Sequence, residues 1–211
     1  MGMGTTPLDV VMKRLSALFL LFVTLLPCQA LSQANTPLSS ETRKGLSDFF
    51  SPFAAANMKG FDQYTLSEKD LLHFAIWHCI MHPAPSLKRI NGGNDIVIPS
   101  KVIDNITQTV FDRTIKQHRK AQYVESLGSG EAFVFAQANS LRQRNDGTFL
   151  AAGTIYYTGA GETIDPHATR AQWKRSGADV RVWGTFSGIL RRTAAPHARW
   201  VLLQYAVKET L

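Results

Sequence analysis

Residues 73–82, HFAIWHCIMH, place three histidines and a cysteine within ten positions. On a helix, His78 and His82 lie about 40° apart and could bind one metal ion. His73 lies about 140° from His78 and Cys79 about 100°, so neither suits the same ion. A zinc protease would also need Glu directly after the first histidine, where this chain has Cys79. His78 and His82 therefore stay an alternative metal pair, and we expect no cofactor. Further ligands would have to come from His118, His167 or His197.

The same segment has the composition of a buried helix. Ser67 and Asp70, three positions apart, form an N-terminal capping box, and Pro83 ends the segment, which predicts a helix over Glu68–His82. Apolar residues lie on almost every face of this helix, as is typical of a helix in the core. They are Leu71, Leu72, Phe74, Ala75, Ile76, Trp77, Ile80 and Met81. A core helix is the interpretation we favour.

Asp165 and His167 flank Pro166 and supply a carboxylate and an imidazole, the groups of general acid–base catalysis. Glu162 would add a second carboxylate. No nucleophile at a recognisable turn accompanies them, because GTFSG at 184–188 departs from G-x-S-x-G and has the composition of a strand. Asp-Pro also opens turns, so we favour a turn whose polar side chains fix the loop. Ligand binding and acid–base catalysis are the alternatives.

Residues 159–177 separate two predicted strands by about twenty residues, and loops of that length in compact domains are usually functional or mobile. The loop carries two adjacent basic side chains beside an aromatic ring. An anionic cell-envelope component or a protein partner would suit this chemistry, whereas an exported protein meets little nucleic acid. The predicted binding residues are Asp165, His167, Trp173, Lys174 and Arg175.

The N-terminus has the parts of a secretory signal peptide. Lys13 and Arg14 precede an apolar run over residues 15–27, and small residues follow it. That run is shorter than the roughly 20 apolar residues that cross a bilayer, so we expect no transmembrane segment in the mature chain. Cleavage after Ala30 or Ala34 fits the small-x-small pattern. The expected location is therefore periplasmic or secreted.

Two alternative interpretations of the N-terminus remain. Met12 stands directly before the charged pair and is a candidate for the true start of the protein, in which case residues 1–11 are not part of it. Cys28 could carry the lipid anchor of a bacterial lipoprotein, although Pro27 is a poor match to the small residue preferred before that cysteine. Simple export is the interpretation we favour.

Removal of residues 1–34 takes away two of the 23 basic residues and one of the 16 acidic residues, which leaves 21 against 15 and a net charge of +6. Cys79 is then the only cysteine, so an intramolecular disulfide is excluded and the core must supply the stability.

We divide the mature chain into a polar tether at 35–45 and a single domain at 46–211. Helical spacing predicts a first helix from Leu46, shortened or kinked by Pro52. After the histidine-containing helix, residues 84–95 have the Gly and Pro content of a loop. The N-terminal half of the domain is therefore predicted to be helical.

A further helix begins at Pro99 and Ser100, and beyond residue 120 the pattern changes to that of strands. Asp146-Gly147 is the turn signal of a β-hairpin. Helices first and strands afterwards predict an α+β fold, with helices packed on a twisted antiparallel sheet.

Five short stretches of the sequence, in this order, resemble secreted or lipid-anchored bacterial α+β domains of uncharacterised function. They are FFSPFA (49–54), DLLHFAIWH (70–78), GEAFVFAQ (130–137), DPH (165–167) and ARWVLLQY (198–205). The resemblance covers most of residues 46–208 and implies no catalytic residues. The layout is also similar to cystatin-like and nuclear-transport-factor-like folds, which host enzymes, binders and scaffolds alike.

The sequence favours an exported binding protein of the cell envelope over an enzyme. Residues 159–177 would present their basic side chains to an anionic or protein partner. The alternative is a small-ligand-binding protein or hydrolase that uses Asp165 and His167 in a pocket between helices and sheet. A deep pocket on which both side chains converge would favour this alternative.

Overall fold

The structure is a computed structural model that describes residues 38–127, 133–194, 196 and 198–210. It confirms the predicted α+β fold. The described helices are α1 (Ser40–Ala55), α2 (Glu68–Met81), α3 (Ser100–Phe111) and α4 (Arg170–Ser176). The strands are β1 (Phe61–Asp62), β2 (Lys88–Ile90), β3 (Asp95–Pro99), β4 (Gln122–Ser126), β5 (Val134–Gln143), β6 (Phe149–Thr158), β7 (Val180–Arg192) and β8 (Trp200–Glu209).

The strands form two antiparallel sheets. The larger sheet has the order β1-β8-β7-β6-β5, so the last four strands follow one another as a meander. The smaller sheet has the order β2-β3-β4. This smaller sheet corrects the prediction of a loop over 84–95, because β2 pairs with β3 through a tight turn. Gly92 and Gly93 make that turn with φ of +69° and +95°, a region that favours glycine.

Helix α1 begins within the predicted tether. Ser39 is its N-cap and accepts a hydrogen bond from the Thr42 amide at 3.1 Å, so residues 40–45 are helical. Pro52 lies inside the helix and does not end it. Residues 40–45 of the predicted tether therefore belong to α1, because the cap and the packing of the helix outweigh the polar composition.

Helix α1 also covers the outer edge of β5. The buried hydroxyls of Ser47 and Ser51 accept hydrogen bonds from the Ala138 and Ala136 amides at 3.0 and 3.1 Å. These amides would otherwise lack a partner, because β5 is an edge strand. The helix therefore closes this edge of the larger sheet.

Aromatic side chains fill the core between the helices and the larger sheet. Phe53 of α1 lies 4.2 Å from Phe74 of α2, measured between ring centroids, and Phe50 lies 4.5 Å from Phe186 of β7. A side chain at Gly188 would bring its Cβ within 2.8 Å of the Phe50 ring, so glycine permits this close approach.

Helix α2 has the predicted capping box, with Ser67 and Asp70 each bonding the other's backbone amide. Its burial is less complete than predicted, because only one face meets the core. The fully buried residues are Leu71, Phe74, Ala75 and Cys79, whereas Leu72, Ile76, Trp77, Ile80 and Met81 are partly exposed.

Among the described residues, no helix has the length and apolar content that a membrane span requires. The predicted signal segment at 1–34, its cleavage positions at Ala30 and Ala34, and Cys28 lie outside the described residues.

Candidate functional site

The predicted loop at 159–177 contains a short helix, α4. Thr169 caps it, and the side chain of Gln172 bonds back to the Thr169 amide at 2.7 Å, which completes a capping box. Gly177 ends the helix with φ of +77°. The C-terminal part of the predicted loop is therefore a short helix that is capped at both ends.

Trp173 anchors this helix in a second, smaller apolar cluster. Its ring is 4% exposed and lies 5.6 Å from the Phe135 ring and 5.1 Å from the Tyr156 ring. Its Nε1 donates a hydrogen bond to the Asp165 carbonyl at 2.8 Å. Because Ile155 enters the main core and Tyr156 enters this cluster, the two cores lie on opposite faces of the larger sheet. Trp173, predicted as a binding residue, therefore positions α4 through a ring that is almost wholly buried.

Strand side chains hold the rest of the segment in place. The Gln137 amide of β5 donates hydrogen bonds to the Pro166 and Ala168 carbonyls at 2.7 and 2.9 Å. The Glu162 carboxylate accepts a hydrogen bond from the Asp179 amide at 3.2 Å and so closes the base of the segment. The Glu162 carboxylate therefore has a structural contact at the Asp179 backbone.

Asp165 and His167 do not form an acid–base pair. The Asp165 carboxylate accepts a hydrogen bond from the His167 backbone amide at 2.9 Å, which is the predicted Asx turn. The His167 ring turns toward α1, where its Nε2 lies 2.9 Å from an Asp48 carboxylate oxygen. Lys44 Nζ completes this cluster, 2.8 Å from the other Asp48 oxygen and 3.3 Å from His167 Nε2. The imidazole is therefore engaged with α1 and does not meet the Asp165 side chain.

A groove of about 510 Å³ runs beside α4. It is lined by Arg170, Trp173, Lys174, Gly177, Ala178, Asp179 and Val180. Neither His167 nor Asp165 lines it. Two of the predicted binding residues, Trp173 and Lys174, line the groove. Arg175 is exposed and lies outside it.

The groove is positively charged. Arg170 and Lys174 are exposed, and in the part of the chain that the structure describes neither forms an ion pair with a carboxylate. The carboxylate in the groove, Asp179, is neutralised by Arg181, and the hydrogen bond from Arg181 lowers the pKa of the Asp179 carboxyl. Two unpaired cations four residues apart on one helix could therefore bind an anionic group together.

Arg170 was not among the predicted site residues, although the sequence holds a signal for it. Thr169 and Gln172 have capping-box spacing, and Gly177 is a C-terminal signal. Together they predict a helix on which Arg170 and Lys174 share one face while Arg175 points elsewhere.

The alternative metal pair lies at the C-terminal end of α2, where His78 is partly buried and His82 is exposed. The rings of His78 and His82 are 5.4 Å apart between centroids. Burial, and secondarily the neighbouring His82, lowers the pKa of His78 to about 4, and burial raises the pKa of the Cys79 thiol to about 11. His73 instead contacts the Ala56 carbonyl through its Nε2 at 2.8 Å. Within the described ranges, no three His, Cys, Asp or Glu side chains are grouped as metal ligands would be.

Comparison of the chain with protein-family models, with curated proteins and with solved structures gives no match. The resemblance to exported bacterial domains stays a prediction, and the geometry of the site is the basis for the function proposed below.

Proposed function

We propose that this protein is an exported binding protein of the cell envelope that recognises an anionic group through the groove beside α4. The ligand class is a carboxylate- or phosphate-bearing envelope component, or a protein that presents such a group. Export is proposed from the N-terminal signal pattern, and the binding role from the groove.

The observation that carries the binding role is the pair of unpaired cations, Arg170 and Lys174, held beside the groove by a helix with a buried anchor. The guanidinium carbon of Arg170 lies 6.0 Å from the centroid of the Tyr156 ring, so its charged end lies over the cluster that holds Trp173. A cation held in this way loses less side-chain entropy on binding than a free surface cation does. Carboxylates and phosphates are the groups that such a pair binds best.

The hydrolase alternative has less support. A hydrolase would need Asp165 and His167 to converge on a pocket, but the His167 ring contacts Asp48 on α1 and neither side chain lines the groove. The groove is also open to solvent, whereas acid–base catalysis gains most in a site that excludes water.

Affinity capture from an envelope extract tests the binding role. The immobilised mature chain is compared with Arg170→Ala/Lys174→Ala, which removes both groove cations and leaves Trp173 in place. We expect the double variant to lose about tenfold in affinity for the captured component, and we expect wild-type capture to weaken as salt rises.

The matched control is Arg175→Ala/Lys208→Ala, which removes the same charge from exposed positions outside the groove. We expect this control to capture like wild type. If the two double variants bind equally, whether both retain capture or both lose it, the groove is not the binding site.

Export is tested separately by the mass of the protein recovered from an expressing bacterial cell. We expect removal of residues 1–30 or 1–34 and recovery outside the cytoplasm. A full-length cytoplasmic product would contradict export and would leave the groove experiment unaffected.

A further inference from the structure

Strand β4 lies at an edge of the smaller sheet, with β3 on one side only. The Leu127 amide bonds the Asn94 carbonyl at 2.8 Å, and the Ser100 amide bonds the Ala121 carbonyl at 2.9 Å, so residues 121 and 127 face β3. Backbone groups of an antiparallel strand alternate in direction, and the register of β4 is unbroken. The N–H and C=O groups of Gln122 and Val124 therefore point away from β3.

This edge is open to solvent. Gln122 and Val124 are both exposed, and the structure records for neither a hydrogen bond on that side. The Val124 side chain is also prominent, since with 51% exposure it is one of two exposed large hydrophobic residues in the described ranges. Most proteins cover such edges or place charges on them, because an open edge pairs with other chains. The larger sheet follows that rule at β5 through α1, whereas in the part of the chain that the structure describes no helix or strand pairs with the outer side of β4.

A basic segment leads directly into this edge. Residues 113–120 contain four Lys or Arg and no Asp or Glu. Lys116, Arg119 and Lys120 are exposed, and within the described part of the chain none of their side chains forms an ion pair. The segment therefore places three exposed cations before the N-terminal end of β4, and the Glu68 carboxylate accepts a hydrogen bond from the Lys116 backbone amide at 3.2 Å.

His118 fixes the basic segment against the fold. Its Nε2 lies 3.1 Å from an Asp104 carboxylate oxygen on α3, and its Nδ1 lies 3.2 Å from the hydroxyl of Tyr123 on β4. The same Asp104 oxygen accepts a hydrogen bond from the Ile115 amide. The backbone that carries Lys116 and Arg119 is thus held against α3 and β4.

From this geometry we infer that the β4 edge binds an extended acidic peptide segment by strand addition. The backbone of the peptide pairs with the outward N–H and C=O groups of Gln122 and Val124. Its carboxylates face Lys116, Arg119 and Lys120, and its apolar or β-branched side chains cover Val124. This surface is separate from the groove beside α4, and its ligand is recognised through its backbone. An anionic membrane would use the cations and leave the strand edge unpaired.

Amide hydrogen exchange with a defined probe tests the pairing. The probe is an eight-residue synthetic peptide that alternates Glu with Thr, and its counterpart alternates Lys with Thr. We expect the acidic peptide to slow exchange at the Gln122 and Val124 amides, while the inward Tyr123 amide, already bonded to β3, changes little. No binding by the acidic peptide, equal binding by the basic one, or protection without this alternation would overturn the inference.

Two variants separate backbone pairing from charge attraction. Val124→Pro removes an outward N–H without touching a bond to β3, and Val124→Thr is the control that keeps this N–H. We expect the proline variant to bind the acidic peptide about tenfold more weakly and the threonine variant to bind like wild type. Equal affinities, with circular dichroism showing both variants folded, would refute strand addition.

Charge is tested with Arg119→Ser/Lys120→Ser against Lys59→Ser/Lys208→Ser, which loses the same charge at other exposed positions. We expect about tenfold weaker peptide binding in the first pair only. Vesicles of phosphatidylglycerol provide the remaining comparison. The inference would be refuted, and the surface assigned to a membrane, by the following combination of results. The protein binds the vesicles but not the peptide, vesicle binding is lost in Arg119→Ser/Lys120→Ser, and vesicle binding is unchanged in Val124→Pro.

Discussion

The closure of the β5 edge by α1 leads to a specific prediction about two hydroxyl groups. Ser47→Ala and Ser51→Ala each remove the acceptor for one amide of the edge strand, Ala138 and Ala136 respectively. Both serines are buried, at 2% and 8% exposure, so water cannot replace the lost hydroxyl without entering the interface. Each variant therefore leaves a buried N–H unsatisfied.

An unsatisfied buried donor costs about 1–3 kcal/mol, so we expect each single variant to lower the free energy of unfolding by that amount. The double variant should lose about 2–5 kcal/mol. Strict additivity is not expected, because the two serines lie four residues apart on one helix and act on one strand. In a domain of this size about 1 kcal/mol corresponds to a fall of roughly 2–4 °C in Tm.

Urea denaturation measures the loss, and amide hydrogen exchange locates it. Ser86→Ala is the control, because Ser86 is exposed and lies outside helices and strands. We expect faster exchange at Ala136 and Ala138 in the double variant and no change in the control. The explanation would be refuted by a double variant within about 0.5 kcal/mol of wild type, or by a loss of stability with unchanged exchange at both amides.

Three further predictions follow from burial. Trp173→Ala should lower the free energy of unfolding by about 3–5 kcal/mol in urea, because it empties the cluster behind α4, and a loss below about 1 kcal/mol would contradict its anchoring role. His78, with its pKa lowered from 6.5 to about 4, stays neutral in the fold while the unfolded chain gains a proton below pH 6.5. Stability should therefore fall by up to about 1.4 kcal/mol per pH unit between pH 6.5 and 4, and denaturation of His78→Leu over that range should show a correspondingly shallower slope. Gly153→Ala would place a Cβ 2.1 Å from the Gln137 carbonyl oxygen and should lower the free energy of unfolding by about 3 kcal/mol or more. Gly45→Ala in α1 meets nothing within 4 Å and should raise the free energy of unfolding by about 0.5–1 kcal/mol. Equal stability of the two variants in thermal unfolding would refute this contrast.

Elements with local end signals were predictable from the sequence. The capping box of Ser67 and Asp70 begins α2 where expected, and α3 begins at Ser100 directly after Pro99. Asp146-Gly147 makes the turn between β5 and β6, with φ of +78° at the glycine. In each case residues within a few positions of one another determine the conformation, so no knowledge of the rest of the chain is needed.

The smaller sheet and the edge of β5 were not predictable in the same way. Strand β2 has three residues, which is too short for an alternating pattern to be recognised. The contact of His167 with Asp48 joins distant parts of the chain and redirects a ring that the sequence pairs with Asp165. The position of the groove was not predictable either, because it depends on the burial of Trp173 against strands of the larger sheet. In the sequence, Trp173 stands beside basic residues and therefore suggested an exposed binding surface.

The closure of the larger sheet by α1 has a consequence for how the chain folds. Ser51 and its strand partner are 85 residues apart, and Ser47 and its partner are 91 residues apart. The β5–β6 hairpin can form from neighbouring residues, but its outer edge gains its partner only after a loop of this length closes, and contacts of long sequence separation form slowly. A partly folded molecule therefore exposes an edge that the native state hides. Substitutions that weaken α1 should first lower the yield of refolding through aggregation, at protein concentrations where the native domain itself remains monodisperse.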